Sequence, residues 1–269
     1  MQKTSRTLAQ SFADLRGRIG LVPFLPAGFP NLAATAATLR ALDAIRPAAI
    51  ELGFPFSDPI ADGPTIQQAF TAALLHKIKV SDIFAMVREI TPDISTPLLA
   101  MLSYSIVYRY GPDRFFAEAR SAGFAGLIIP DLPPPEANKM CGHIRAADLD
   151  TILLVAPTTT PDRRREIAEL CSGFVYYLSV SGITGARAEL PPDISENVRQ
   201  LRTLTDRPIC VGFGISKPSH LAALAGIADG AIVGSAIVKR ISDNSSASPD
   251  AIAKIIADYC QSLASPAAL

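Results

Sequence analysis

The apolar positions of this chain fall into short β-branched or Leu-rich runs. Each is followed by a turn signal and then by a stretch with apolar residues at helical spacing. Eight such runs read Ile19 to Leu25, Ala48 to Gly53, Leu98 to Ser103, Gly126 to Pro130, Thr151 to Ala156, Phe174 to Val180, Ile209 to Gly214 and Gly230 to Gly234. They are apolar throughout, with little alternation, which suits strands of a parallel sheet covered on both faces. The intervening segments carry helix starts. Asn31 precedes Leu32, Leu39, Leu42 and Ile45, while Thr160-Pro161-Asp162 and Ser248-Pro249-Asp250 each supply a cap, a first-turn proline and an acid suited to the helix dipole. An open doubly wound sheet would also alternate strand and helix, but eight short units in ~250 residues without a composition break match a closed barrel better. The expected fold is α/β, a single (β/α)8 TIM-barrel domain over residues 1–269 with extra helices.

Composition narrows the function classes. With 269 residues, 49% of them apolar, the chain can bury a large core. Its 25 basic residues balance its 25 acidic ones, and apart from Arg163, Arg164 and Arg165 they are scattered, which excludes a nucleic-acid footprint. The opening MQKTSRTLAQSFADLRG has no apolar stretch suited to a signal peptide, and nowhere do ~18 apolar residues run together. A cytoplasmic protein without membrane contact is expected. Cys141, Cys171, Cys210 and Cys260 lie far apart, as thiols in a reducing compartment would. His76, His143 and His220 all fall in helical segments, where an exposed helix surface is the favoured reading, so neither a metal site nor a histidine base is expected.

The strongest chemical signal is the segment ELGFPFSDPIADGP at 51–64. Glu51 stands inside the apolar run AAIELG, where an inward carboxylate would lose hydration, acquire a raised pKa and be able to exchange protons near neutral pH. An outward Glu paired with a helix Lys or Arg is the plainer alternative. Asp58 and Asp62 follow in a loop stiffened by prolines. On local grounds Asp62 is equally an acid of the site or a cap for the helix that begins at Pro64. A second constellation is glycine at the ends of the late strands: Gly182 and Gly185, Gly212 and Gly214, then Gly234-Ser235. Barrels commonly hold a phosphate there, on bare backbone N–H groups and a helix N-terminus. Tyr176 and Tyr177 are strand neighbours of which one faces inward, and spacing does not say which. Two connections, Gly53 to Pro64 and Ser181 to Asp193, are long, and both fall at the carboxyl ends of strands, where barrel sites lie.

Taken in order, ELGFPFSDPIADGPTIQ, LIIPDLP, LVAPTTT, YYLSVSGITGAR, VGFGIS and GSAIVK resemble the tryptophan synthase α-subunit family over essentially the whole chain. The resemblance implies a lyase of tryptophan biosynthesis that splits indole-3-glycerol phosphate into indole and glyceraldehyde 3-phosphate by retro-aldol cleavage. It implies Glu51 and Asp62 as the catalytic acids. Phe24, Tyr176 and Thr184 would serve as substrate contacts, and Gly185, Phe213, Gly214, Gly234 and Ser235 as phosphate contacts. It implies no metal and no cofactor in this chain. Its partner would be a β subunit carrying pyridoxal phosphate, in an α2β2 heterotetramer to which indole is passed.

The chain departs from the family pattern after the third strand, where MLSYSIVYRYG places Ser103, Ser105 and Ile106 in a contact region usually bearing Tyr-Asn-Pro, and at Phe29, which replaces a common Asp. These changes bear on β-subunit contact and leave Glu51 and Asp62 intact. The alternatives are a standalone lyase releasing free indole, another phosphosugar barrel such as an isomerase or epimerase, and a noncatalytic regulatory barrel that binds a phosphorylated ligand. Metal-dependent epimerases need strand-end histidines, which are missing, and a binding module has no need of an acid at the mouth.

Overall fold

All eight apolar runs form parallel strands, in a computed structural model that describes residues 6–59, 62–179, 191, 193–212 and 214–264. They are β1 (Gly20–Pro26), β2 (Ile50–Gly53), β3 (Leu98–Met101), β4 (Phe124–Ile128), β5 (Asp150–Val155), β6 (Val175–Leu178), β7 (Ile209–Gly212) and β8 (Gly230–Val233). Each pairs with its sequence neighbour, and Gly20 to Pro23 of β1 pair in parallel with Gly230 to Val233 of β8, so the sheet closes. Closure leaves no edge and gives each strand two faces to bury, which is why the runs are apolar at both parities.

The two parities go to different cores. Val22, Leu99, Ile128, Ile152, Tyr176, Cys210 and Ile232 pack together inside the barrel. Leu25, Ile50, Leu52, Val155, Val175, Tyr177 and Val211 belong to the larger core between barrel and helices. Tyr176 is thus the inward tyrosine and Tyr177 the outward one. Glu51, between the helix-facing Ile50 and Leu52 and in register with Phe24 and Leu99, is directed into the barrel.

The amino end of the barrel is plugged by the helix Leu8–Ala13, whose Leu8 joins the interior cluster and whose Phe12 ring meets Phe174 edge-on at 5.9 Å. Ser11 Oγ donates to the Ala48 carbonyl at 2.6 Å, and Thr7 caps the helix reciprocally with Gln10. With that end filled, access to the interior is left to the carboxyl end.

Helix starts follow the reading at Asn31, whose side chain accepts from the Ala34 amide, and helices begin at Pro161 and Pro249 as expected. β3 stops at Met101, short of Ser103, because Ser103 caps the helix Tyr104–Tyr110 and donates to Asp131 at 2.6 Å, while the Tyr104 amide donates to the other Asp131 oxygen at 2.7 Å. The unusual serine after the third strand is therefore absorbed by a local cap and a cross-loop bond.

His76 and His143 are exposed, but His220 is buried at 4% exposure, and its expected surface position is corrected. The turn before its helix brings the Ser216 amide onto its Nδ1 at 3.3 Å, giving the ring a reason to lie inside. All four cysteines are buried free thiols. Among the described residues no helix is long and apolar enough to cross a membrane, and no group of three or more His, Cys, Asp or Glu could hold a metal ion.

Candidate active site

β2 carries Glu51, its second residue, at 0% exposure, and neither carboxyl oxygen has a hydrogen-bond partner among the described residues. Ionisation there would strip a carboxylate of water with nothing in exchange. Burial accordingly pushes the Glu51 pKa well above the usual carboxylate range and favours the proton-loaded form.

Tyr176 faces the same interior. Its phenol is pushed well up by burial first, and then by the charges of Glu51 and Asp62 and by the Cys210 thiol. Those influences bring β2, β6, β7 and the loop after β2 around one space at the mouth. Asp62 is partly buried, and loss of solvent raises its carboxyl to about 6. The N-cap position, its alternative role, is occupied by Gly63, at the start of the helix Pro64–Leu75. The loop is instead braced from the helix by Gln67, whose amide donates to the Asp62 carbonyl at 2.7 Å and to the Pro59 carbonyl at 3.2 Å.

Glycine makes room for the aromatic walls. A methyl at Gly53 would come within 2.6 Å of the Phe24 ring, and one at Gly212 within 2.5 Å of the Tyr176 ring. Phe24 also meets Phe70 edge-on at 6.4 Å, which fixes the ring from behind. Gly234 is different, because the nearest atoms a methyl there would meet belong to Phe24, at an ordinary 3.7 Å. Packing does not demand glycine at that position. It is the N-cap of the helix Ser235–Asp243 and, as glycine, supplies no side-chain cap, and the Gly234 carbonyl takes the amides of Ile237 and Val238. The first amides of this helix point to the mouth side, as an anion would require. Gly214, at φ +77°, adopts the left-handed backbone that glycine permits.

Of the residues expected at the site, Glu51, Asp62, Phe24, Tyr176, Gly214, Gly234 and Ser235 all fall at this end of the barrel. Thr184, Gly185 and Phe213 lie outside the described residues, as does most of the Ser181 to Asp193 connection. Gln67 and Cys210 were not expected. Strand alternation from Glu51 through the barrel register would have found Cys210, which pairs with Tyr176 and Gly230 and feels the Glu51 charge. Nothing in the local sequence marks Gln67.

A closed parallel barrel with a proton-holding acid at one mouth, a second acid on the loop above it and aromatic walls beside them defines a class, the (β/α)8-barrel enzymes. A sequence profile of the tryptophan synthase alpha chain matches residues 12–267, and the chain belongs to that family. It is 44% identical over 268 residues to the tryptophan synthase alpha chain of Rhodopirellula baltica, covering 95% of this chain and 96% of that one. To that of Microcystis aeruginosa it is 40% identical over 259 residues, covering 95% and 97%. A solved mutant tryptophan synthase alpha-subunit from the hyperthermophile Pyrococcus furiosus superposes with a TM-score of 0.83 at 35% identity, covering 91% of this chain and 97% of that one.

The glycine contacts make a paired prediction for denaturant unfolding. Gly53→Ala, which drives a methyl into the Phe24 ring, should lose about 1–3 kcal/mol by overpacking. Gly234→Ala should stay within about 1 kcal/mol of wild type, and equal losses would contradict the packing described.

Proposed function

We propose that this chain cleaves indole-3-glycerol phosphate to indole and glyceraldehyde 3-phosphate. Glu51 is the proton-transfer acid and Asp62 the partner of the indole nitrogen. The observation that carries this reading is the fully buried Glu51 carboxyl, unbonded among the described residues, which holds a proton where a substrate ring could take it.

The reaction balances within substrate and side chains. Glu51 gives its proton to indole C3, and the ring becomes an indolenine with positive charge at the nitrogen. Asp62, ionised above about pH 6, stabilises that charge. Glu51, now a carboxylate, helps remove the proton of the hydroxyl on the carbon next to C3. The carbonyl forms, the carbon–carbon bond breaks, and its electron pair neutralises the ring to give indole. One proton is added and one removed, so the sequence needs neither oxidant nor water, and no cofactor or metal is assigned to this chain. Phe24 and Tyr176 line the indole side. Gly234, Ser235 and Gly214 offer amides to the phosphate, and the family resemblance adds Gly185 and Phe213 as phosphate contacts and Thr184 as a substrate contact.

The family resemblance supports a β subunit that carries pyridoxal phosphate and receives the indole in an α2β2 assembly. The contact region includes the Ser103 to Ile106 segment and the Pro55 to Asp58 loop, while Phe29 stands where a common Asp would. The reading places the chain in the cytoplasm, with no nucleic-acid or membrane partner.

Indole release by the purified chain, alone and with a tryptophan synthase β subunit, tests this. Slow release that rises strongly with the β subunit is expected. Fast release unaffected by it would favour a standalone lyase, and no release would favour a regulatory barrel. Glu51→Gln should lose ~10²–10⁴-fold in cleavage with little change in affinity for glycerol 3-phosphate, and substantial residual activity would remove Glu51 from this role.

Asp62 gives a pH prediction. Its anion is the useful form, so kcat/KM should fall as pH drops below about 6, and Asp62→Asn should abolish that acid limb along with most of the activity. Because burial raises this pKa above the unfolded value, the same group stabilises the fold in acid and loses that contribution as pH rises through about 6. An acid limb unchanged in the variant would show that another group sets it.

A further inference from the structure

The loop after β7 leaves Gly212, passes Gly214 and ends at Ser216 before the helix Pro218–Leu224. The peptide groups on both sides of Ser216 are held by side chains. Its amide donates to His220 Nδ1 at 3.3 Å, and its carbonyl accepts from the Tyr259 hydroxyl at 3.0 Å, across 43 residues of sequence. Tyr259 sits on the helix Pro249–Ala264, outside the barrel and remote from the mouth in sequence. Its ring has a second partner, the Arg240 guanidinium, 3.5 Å above the ring centre. Arg240 in turn donates to the Ala236 carbonyl at 2.9 Å, in the first turn of the helix that Gly234 caps. One tyrosine therefore touches the supports of both late loops: the exit of the β7 loop by its hydroxyl, and the first turn after β8 through Arg240.

We propose that Tyr259 is a positioning residue for the phosphate end of the site. With His220 it clamps Ser216, and through Arg240 it fixes the spacing of the β7 and β8 loops. The inference rests on the reading of those loops as the phosphate cradle. Backbone amides bind an anion well only when they are pre-aimed, since a loop that must be ordered by the ligand gives up affinity in ordering it. The clamp is specific to the end of the substrate that does not react. Its loss should therefore appear in binding and leave the acid–base step alone, whereas a purely structural role would lower stability and leave affinity unchanged.

The test is Tyr259→Phe, which keeps the ring beneath Arg240 and removes only the hydroxyl, compared with wild type by titration with glycerol 3-phosphate. A single neutral hydrogen bond corresponds to ~2- to 10-fold in an equilibrium. The dissociation constant for glycerol 3-phosphate and the KM for indole-3-glycerol phosphate should both rise by about that factor, with kcat within about twofold of wild type. Tyr259→Leu, which also releases Arg240, should weaken binding further. Wild type that binds glycerol 3-phosphate alongside Tyr259→Phe with the same affinity would overturn the clamp. Wild type that does not bind it at all would overturn the phosphate reading itself, and with it the inference.

Discussion

A carboxylic acid held dry inside a closed barrel is the constraint on which the rest of this structure depends. Glu51 can remain proton-loaded only where water and compensating donors are kept away. The fold supplies that condition by closing β1 onto β8, by filling the amino end with Leu8 and Phe12, and by walling the carboxyl end with Phe24 and Tyr176. The aromatic walls depend in turn on Gly53 and Gly212, whose missing side chains are the space the rings occupy. An unsatisfied buried acid would be a defect in a protein selected only for stability. On a barrel strand, directed into the interior, it is what proton transfer calls for.

The two ends of the site solve different physical problems. At the acid end the design is desolvation, with Glu51 fully enclosed and Asp62 partly so. At the glycine end it is pre-aimed backbone, with the glycine-capped start of the helix Ser235–Asp243 and the left-handed Gly214. The outer shell is polar where it supports loops. Arg164, 9% exposed, donates to the Pro157 and Thr159 carbonyls at the end of β5 and to Asn197 and Gln200 on the helix Ile194–Arg202. The acid–base demand is met by side chains on β2 and on the loop that leaves it, and much of the positional demand by hydrogen bonds to loop backbone. This division is typical of a fold that varies its loops on a fixed barrel.

Much of this was legible in the sequence, because closed parallel sheets and buried acids both leave local marks. The eight strands were visible as continuous apolar runs, and Glu51 as the one carboxylate inside such a run. What escaped local reading depends on tertiary neighbours. β3 was expected to reach Ser103, but a serine whose hydroxyl finds Asp131 across the neighbouring loop caps a helix instead. His220 was expected on the surface, since a helical pattern cannot reveal that the preceding turn brings an amide onto the ring. The inward choice between Tyr176 and Tyr177 is set by barrel register, which adjacent residues do not encode. Asp62 as cap or acid hinged on one residue of helix phase, and Gly63 took the cap.

The protonation state of Glu51 is the most direct measurement. Infrared difference spectra between wild type and Glu51→Gln, followed across a pH titration, should contain a protonated-carboxyl band that persists above the pH range in which an exposed Glu ionises. Its replacement by a carboxylate band in the range where an exposed Glu ionises would mean that burial does not raise this acid, contradicting the account of how this site holds its proton.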